Sequence, residues 1–154
     1  MTLATHTVHI DRPIEDVFDF LANGANNPRW QPLVVSTVPV DDTRGVGSAF
    51  RQTLRHPLGF KVSADYRLTE YDPPGRLALL VTSGGPFRPT LSYTLTPSQS
   101  GADSTDVRCT LEYRPGGLGR VALPALALLH PLFAWEASWI ERAKDLLEST
   151  DRTA

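Results

Sequence analysis

The 154-residue sequence predicts an α+β domain in which a curved antiparallel sheet of six or seven strands wraps a long C-terminal helix. Three observations predict it. Segments of period two fill the middle of the chain, clusters of Gly, Pro, Asp and Asn separate them, and a helical period returns after Pro115-Gly116-Gly117. Connections this short favour antiparallel neighbours. One amphipathic helix covers one face of such a sheet, so a sheet curling around that helix encloses a cavity.

Residues 5–10 alternate and are β-rich, which makes a first strand. Asp11-Arg12-Pro13 stops it. Pro13 suits the first turn of a helix over 14–21, with Asp11 as a candidate cap and Glu15 and Asp16 near the positive helix end. Val17, Phe18 and Leu21 recur on that helix at helical spacing. Asn23-Gly24 ends it, and Asn26, Asn27 and Pro28 make a loop or a second brief helix that delivers Trp30. Strands follow over 33–40, 48–55, 60–71, 77–83, 90–96 and 106–114, joined by turns such as His56-Pro57-Leu58-Gly59 and Asp72-Pro73-Pro74-Gly75. The terminal helix runs to about residue 149. Pro131 has no amide for the carbonyl of Ala127 and its ring crowds that carbonyl, so a kink or break is expected near 129–132, after a short apolar helix.

Apolar residues at 41% and charged residues at 21% describe one soluble globular domain over 1–154, long enough to bury a sizeable core. A net charge of −2 removes the strongest argument for a nucleic-acid partner. A single cysteine, Cys109, excludes an intramolecular disulfide and a multi-cysteine metal site. His6, His9, His56 and His130 share no ligand spacing, so no metal is expected. Glycine-rich segments 45–47, 84–85 and 116–119 lack a phosphate-loop lysine, and no serine sits in a Gly-x-Ser-x-Gly elbow; no cofactor is expected. The N-terminus carries no targeting pattern, which makes the cytoplasm the expected location. The apolar stretch 121–135 has 15 residues, with Pro124, His130 and Pro131 among them. It falls short of the roughly 20 needed to cross a bilayer. It reads as a buried helix segment, or as a surface meeting a lipid or a second copy of the chain.

Strand alternation names the inward faces: Phe50, Gln52 and Leu54; Val62, Ala64, Tyr66 and Leu68; Leu91, Tyr93 and Leu95; Val107, Cys109, Leu111 and Tyr113. Tyr66, Tyr93 and Gln52 are then polar handles among apolar walls, or core residues whose polar ends reach solvent or backbone. At 100° per residue, Leu132, Trp139, Ile140, Ala143, Leu146 and Leu147 share one helix face. Glu136 projects from near the centre of that face. A buried carboxylate is costly unless paired or protonated. It therefore pairs with a sheet arginine, Arg51, Arg55 and Arg88 being the candidates, or escapes by rotation of the helix, or faces the cavity as a polar anchor or acid/base.

The phrases Pro13-Ile14-Glu15-Asp16-Val17-Phe18, Pro28-Arg29-Trp30-Gln31-Pro32, Val46-Gly47-Ser48 and Glu70-Tyr71-Asp72-Pro73-Pro74, in that order, resemble the START-like helix-grip superfamily (SRPBCC). The similar branch is the polyketide cyclase/dehydrase-like one, and the resemblance spans roughly residues 3–149. It implies a helix-grip fold with a hydrophobic cavity. It also implies binding of lipids, sterols, polyketides or other apolar molecules, with catalysis in only some members.

The leading expectation is binding or carriage of a small hydrophobic molecule, such as a lipid, a polyketide or an isoprenoid, between the sheet and the C-terminal helix. Its ligand-binding residues are Trp30, Phe50, Gln52, Tyr66, Tyr93, Glu136, Trp139 and Ile140, and no catalytic residue is assigned. Trp30 is expected as a movable wall at the cavity mouth. One alternative is a cyclase- or dehydratase-type enzyme in which Glu136, Tyr66 or Tyr93 moves a proton. Another is a protein-interaction module using the 121–135 surface, with a homodimer as candidate assembly.

Overall fold

A computed structural model describes residues 1–84, 88–101, 103–114, 124 and 128–151. The period-two segments form seven strands: β1 (Thr2–Ile10), β2 (Val34–Pro39), β3 (Ala49–Arg55), β4 (Lys61–Asp72), β5 (Arg76–Val81), β6 (Thr90–Pro97) and β7 (Thr105–Glu112). Between β1 and β2 lie α1 (Ile14–Ala22), a 3-10 turn (Gly24–Asn26) and α2 (Asn27–Trp30). Beyond β7 lie α3 (His130–Ala137) and α4 (Ile140–Asp151).

The strands make one curved antiparallel sheet in the order β1-β7-β6-β5-β4-β3-β2. β2 to β7 form a meander and β1 closes onto β7, which puts β1 and β2 at opposite edges. The chain from β1 to β2 must therefore cross the whole sheet, six strand spacings wide. Each spacing is about 4.8 Å, so the crossing is roughly 29 Å in a flat sheet and shorter in a curved one. It runs over the inner face. Val17, Phe18 and Leu21 of α1 and Trp30 of α2 are buried in one core cluster with Tyr66, Leu68, Tyr93, Leu95, Val107 and Cys109. The side of the sheet that alternation assigns inward is thus the buried one on β4, β6 and β7. On β3 it is weaker: Phe50, Gln52 and Leu54 are only half-buried. Both edge strands are irregular, with register shifts between Thr2 and Ala4 in β1 and between Val34 and Ser36 in β2. The first of these lets the neighbours Leu3 and Ala4 both enter a second core cluster, with Leu111, Tyr113 and Ala137.

Polar contacts fasten α4 to β1. His6 Nε2 meets Glu141 at 2.9 Å, and Lys144 Nζ donates to the His9 carbonyl at 2.7 Å. The His9 ring spans two carboxylates, Asp106 and Asp11, at 2.9 Å each. Hydrogen bonds to Asp106 and then Asp11 hold its pKa above the ordinary 6.5. Asp11 does not cap α1: the helix starts after Pro13 with no side-chain cap, because the Asp11 carboxylate turns back to His9 and its N–H donates to Glu148.

The C-terminal helix is broken, though not only where the sequence suggests. α3 begins at His130 with Pro131 in its first turn, where a missing amide costs nothing. The apolar helix expected before it falls mostly on residues outside those described. A second break separates α3 from α4. Ser138 Oγ donates to the Trp135 carbonyl at 2.6 Å, and the Trp139, Glu141 and Arg142 amides take i−3 carbonyls. The helical phase does not carry through this turn. Trp139, Ile140, Ala143 and Leu147 are buried, whereas Leu132, expected on the same face, is 51% exposed.

One hairpin approach fixes the β4–β5 end of the sheet. Gly84 has φ +102°, and a Cβ there would lie 2.6 Å from Ala64 Cβ and 2.8 Å from the Ser63 carbonyl oxygen. Gly84→Ala is expected to destabilise the fold by about 1–3 kcal/mol through overpacking. Chemical denaturation of the two proteins checks this, and an unchanged midpoint would contradict it.

Candidate functional site

The crossing segment sets the first wall of the interior. Asn27, at the start of α2 and buried, donates from one amide nitrogen to Gln52 Oε1 at 3.0 Å and to Tyr66 Oη at 3.1 Å. Thr37 Oγ1 donates to the same Gln52 oxygen at 3.1 Å. Tyr66 faces Phe50 across the β3–β4 register, and their rings stack at 5.1 Å. The 3-10 turn lies directly on this pair: a Cβ on Gly24 would come within 2.6 Å of Tyr66 Oη and 2.9 Å of the Phe50 ring. Only glycine permits that approach without displacing the two rings.

The second wall comes from the opposite half of the sheet and the broken helix. Tyr93 and Cys109 are register partners on β6 and β7. The turn between α3 and α4 places Trp139 and Ile140 over them, with Glu136 just before the turn. Two small chambers result. One, of about 20 Å³, is lined by Trp30, Gln31, Leu91, Tyr93, Cys109, Glu136, Ala137, Trp139 and Ile140. The other, of about 60 Å³, is lined by Asn27, Gln31, Gln52, Tyr66, Leu91, Glu136 and neighbouring apolar residues of β5 and β7. Gln31, Leu91 and Glu136 border both, so they form the partition.

Of the eight residues assigned from sequence, Trp30, Tyr93, Trp139 and Ile140 border the first chamber, Gln52 and Tyr66 the second, and Glu136 both. Phe50 lies apart: it stacks on Tyr66 but borders an open hollow of about 340 Å³ between α1 and the 43–48 turn. Trp30 is not a wall at the mouth; it is 3% exposed, because α2 is pressed onto the core. Asn27, Gln31 and Leu91 went unassigned. Asn27 carries turn composition in the sequence, and its burial follows only from the crossing.

Burial disfavours the charged forms of the ionisable groups here. Desolvation raises the Glu136 carboxyl above its ordinary 4.5, and among the described residues nothing pairs with it. Arg51, a candidate partner, makes a two-point contact with Asp65 at 2.9 and 3.0 Å on the other face, and Arg55 and Arg88 are exposed. Burial, then Cys109, Tyr66 and Glu136, push the Tyr93 phenol up. Burial also raises Tyr66, against the Asn27 hydrogen bond. The Cys109 thiol is pushed up to about 12 by burial and then by Glu136, which removes it as a nucleophile. The Tyr93 hydroxyl can thus donate a hydrogen bond and the Glu136 carboxyl stands ready to exchange a proton, while no cation lines either chamber among the described residues.

A search of curated proteins found no match to the chain. The family model described as polyketide cyclase / dehydrase and lipid transport matches residues 1–133. The chain belongs to this polyketide cyclase/dehydrase and lipid-transport family. Solved structures share the fold of this family member. A Deinococcus radiodurans protein is 22% identical with TM-score 0.61, covering 92% of this chain and 94% of its own. The di-domain ARO/CYC StfQ from the steffimycin biosynthetic pathway is 15% identical with TM-score 0.73, covering 96% of this chain and 50% of StfQ. A START superfamily protein from Mycobacterium smegmatis is 17% identical with TM-score 0.60, covering 90% of this chain and 97% of its own. Among the described residues of this family member, no helix is long and apolar enough to cross a membrane.

The raised carboxyl predicts a pH signature. Because the folded pKa of Glu136 exceeds the ordinary 4.5, folding favours its protonated form. That contribution is complete below 4.5 and is lost as pH rises through the folded value. Glu136→Gln is therefore expected to gain stability relative to the parent as pH rises through this window. Unfolding free energies measured across it check the sign. A difference that does not change with pH would contradict the assignment.

Proposed function

We propose that this family member binds and carries a small hydrophobic molecule, of lipid, polyketide or isoprenoid type, in the space between the sheet and the C-terminal helices. The observation that carries this reading is the pair of chambers at that junction, walled by aromatic and aliphatic side chains and divided by a desolvated Glu136 that has no partner among the described residues. A carboxyl in such a place is retained at a cost to stability, and a ligand contact accounts for it. Trp30, Gln52, Tyr66, Tyr93, Glu136, Trp139 and Ile140 are the ligand-contacting residues on this reading, and Phe50 supports Tyr66 from behind. The chambers hold few atoms as they stand, so a larger ligand enters as the partition of Gln31, Leu91 and Glu136 withdraws. The ligand is the main partner, and the same reading keeps the protein in the cytoplasm without a nucleic-acid partner.

A second reading rests on the raised Glu136 carboxyl beside the Tyr93 phenol. These are a proton donor and acceptor of the kind a cyclase or dehydratase uses on a reactive chain.

The neutral dye Nile red is expected to bind at micromolar strength, about −8 kcal/mol. Leu91→Phe, which adds bulk to the wall common to both chambers, is expected to weaken it by about tenfold, close to 1.4 kcal/mol. Fluorescence titration measures both, and absence of dye binding in the parent would refute the carrier. Turnover separates the two readings. With a polyketide-type substrate, the enzyme predicts that Glu136→Gln binds normally and reacts about 10²–10⁴-fold more slowly; the carrier predicts no turnover in either protein.

A further inference from the structure

The smaller chamber contains a mismatch in hydrogen bonding. An indole N–H only donates. The Nε1 atoms of Trp30 and Trp139 are both buried, and neither has a hydrogen-bond partner among the described residues. The side chains are well enclosed, at 3% and 9% exposure, and both border the same chamber of about 20 Å³. Buried donors are paired in the great majority of cases, so two orphans at one small space point to a missing acceptor. The remaining polar side chains of that chamber, Gln31, Tyr93, Cys109 and Glu136, carry acceptor atoms, yet none of them is in hydrogen-bond contact with either indole. Burial disfavours the charged form of both Glu136 and Tyr93, the Tyr93 hydroxyl adds a further O–H donor, and neither group makes a hydrogen bond with a described residue.

We propose that Trp30, Trp139 and Tyr93 form a donor pocket that selects ligands carrying a neutral acceptor oxygen, of the ketone or quinone type, at the buried end of an apolar body. The proposal rests on the ligand-binding reading above and adds the chemistry of the ligand's inner end. The size of the chamber fits. A space of about 20 Å³ admits one oxygen-sized group. The body attached to that oxygen then extends past the Glu136 partition into the second chamber. The charge pattern fits as well. A carboxylate in this place meets no cation among the described lining residues and lies beside the Glu136 carboxyl and the neutral Tyr93 and Cys109 side chains. A buried charge without a partner is strongly disfavoured, so the pocket discriminates against anions as well as against hydrocarbons.

Three probes of one shape test this: 2-acetylnaphthalene, its alkene counterpart 2-isopropenylnaphthalene, and 2-naphthoate. The ketone is expected to bind about tenfold more tightly than the alkene, the difference one buried hydrogen bond makes. It is also expected to bind more tightly than the carboxylate at pH 8. Trp30→Phe and Trp139→Phe should each reduce ketone affinity by a larger factor than alkene affinity, narrowing the preference between the two probes. In the unaltered protein, the indole N–H resonances of Trp30 and Trp139 should move downfield with the ketone and not with the alkene. This measurement stands even where a tryptophan variant fails to fold. Equal affinity for ketone and alkene, or resonances that ignore the ketone, would overturn the donor pocket while the carrier reading stands. A tighter grip on naphthoate overturns the preference for neutral ligands. If none of the three binds and Nile red also fails, the binding reading itself is lost.

Discussion

The interior depends on one topological constraint: the first two strands occupy opposite edges of a seven-stranded sheet. Their connection has to travel the width of that sheet, and its polar backbone has to stay satisfied on the way. The chain solves this with a short helix, a single 3-10 turn and a four-residue helix laid across the inner face. A crossing so thin covers the face incompletely. It reaches close contact at Gly24, where the turn rests on Tyr66 and Phe50, and it is anchored through Asn27 to Gln52 and Tyr66. What it leaves uncovered toward β6 and β7 is closed by the C-terminal helices, and the chambers lie at that seam.

The break at Ser138 decides what the seam contains. In a continuous helix, Leu132 and Trp139 would share a face. With the phase reset, Leu132 points to solvent, and Trp139 packs inward with its ring 5.1 Å from that of Trp135. Glu136 lies within the stretch where the amide-to-carbonyl ladder changes, its carbonyl accepting from Trp139 at i+3. Its carboxyl is thereby held between the two chambers. The fastening of α4 to β1 through His6, His9 and Lys144 keeps that arrangement in register with the sheet.

Much of this was legible in the sequence. Strand alternation is a local property, and it assigned Tyr66, Tyr93, Cys109 and Leu111 to the buried side. Glu136 stood out because one acidic residue interrupted an apolar helical stripe. The illegible parts are tertiary. A helical wheel assumes unbroken phase, so it could not place Leu132, and it reached Trp139 and Ile140 only because the second helix restarts in a similar orientation. Asn27 and Gln31 have the composition of a loop. They become chamber walls only because the crossing presses that loop onto the sheet. Trp30 is enclosed for the same reason, although a tryptophan after a short loop reads equally well as a gate.

The irregularity of the outer strands has a bearing on abundance. On the proposed carrier reading the protein is needed at the concentration of its cargo, unlike an enzyme that turns over many molecules. At such concentrations an open sheet edge is a template on which another strand can grow. β2 is six residues long, shifts register between Val34 and Ser36, and ends in Pro39, which has no N–H to offer an incoming strand. The valines exposed on that strand, Val35 and Val38, therefore sit on an edge that a register shift and a proline interrupt. At the other edge, Lys144 occupies the His9 carbonyl and α4 lies against β1. Both edges of the sheet that encloses the chambers thus carry features that oppose the addition of another strand.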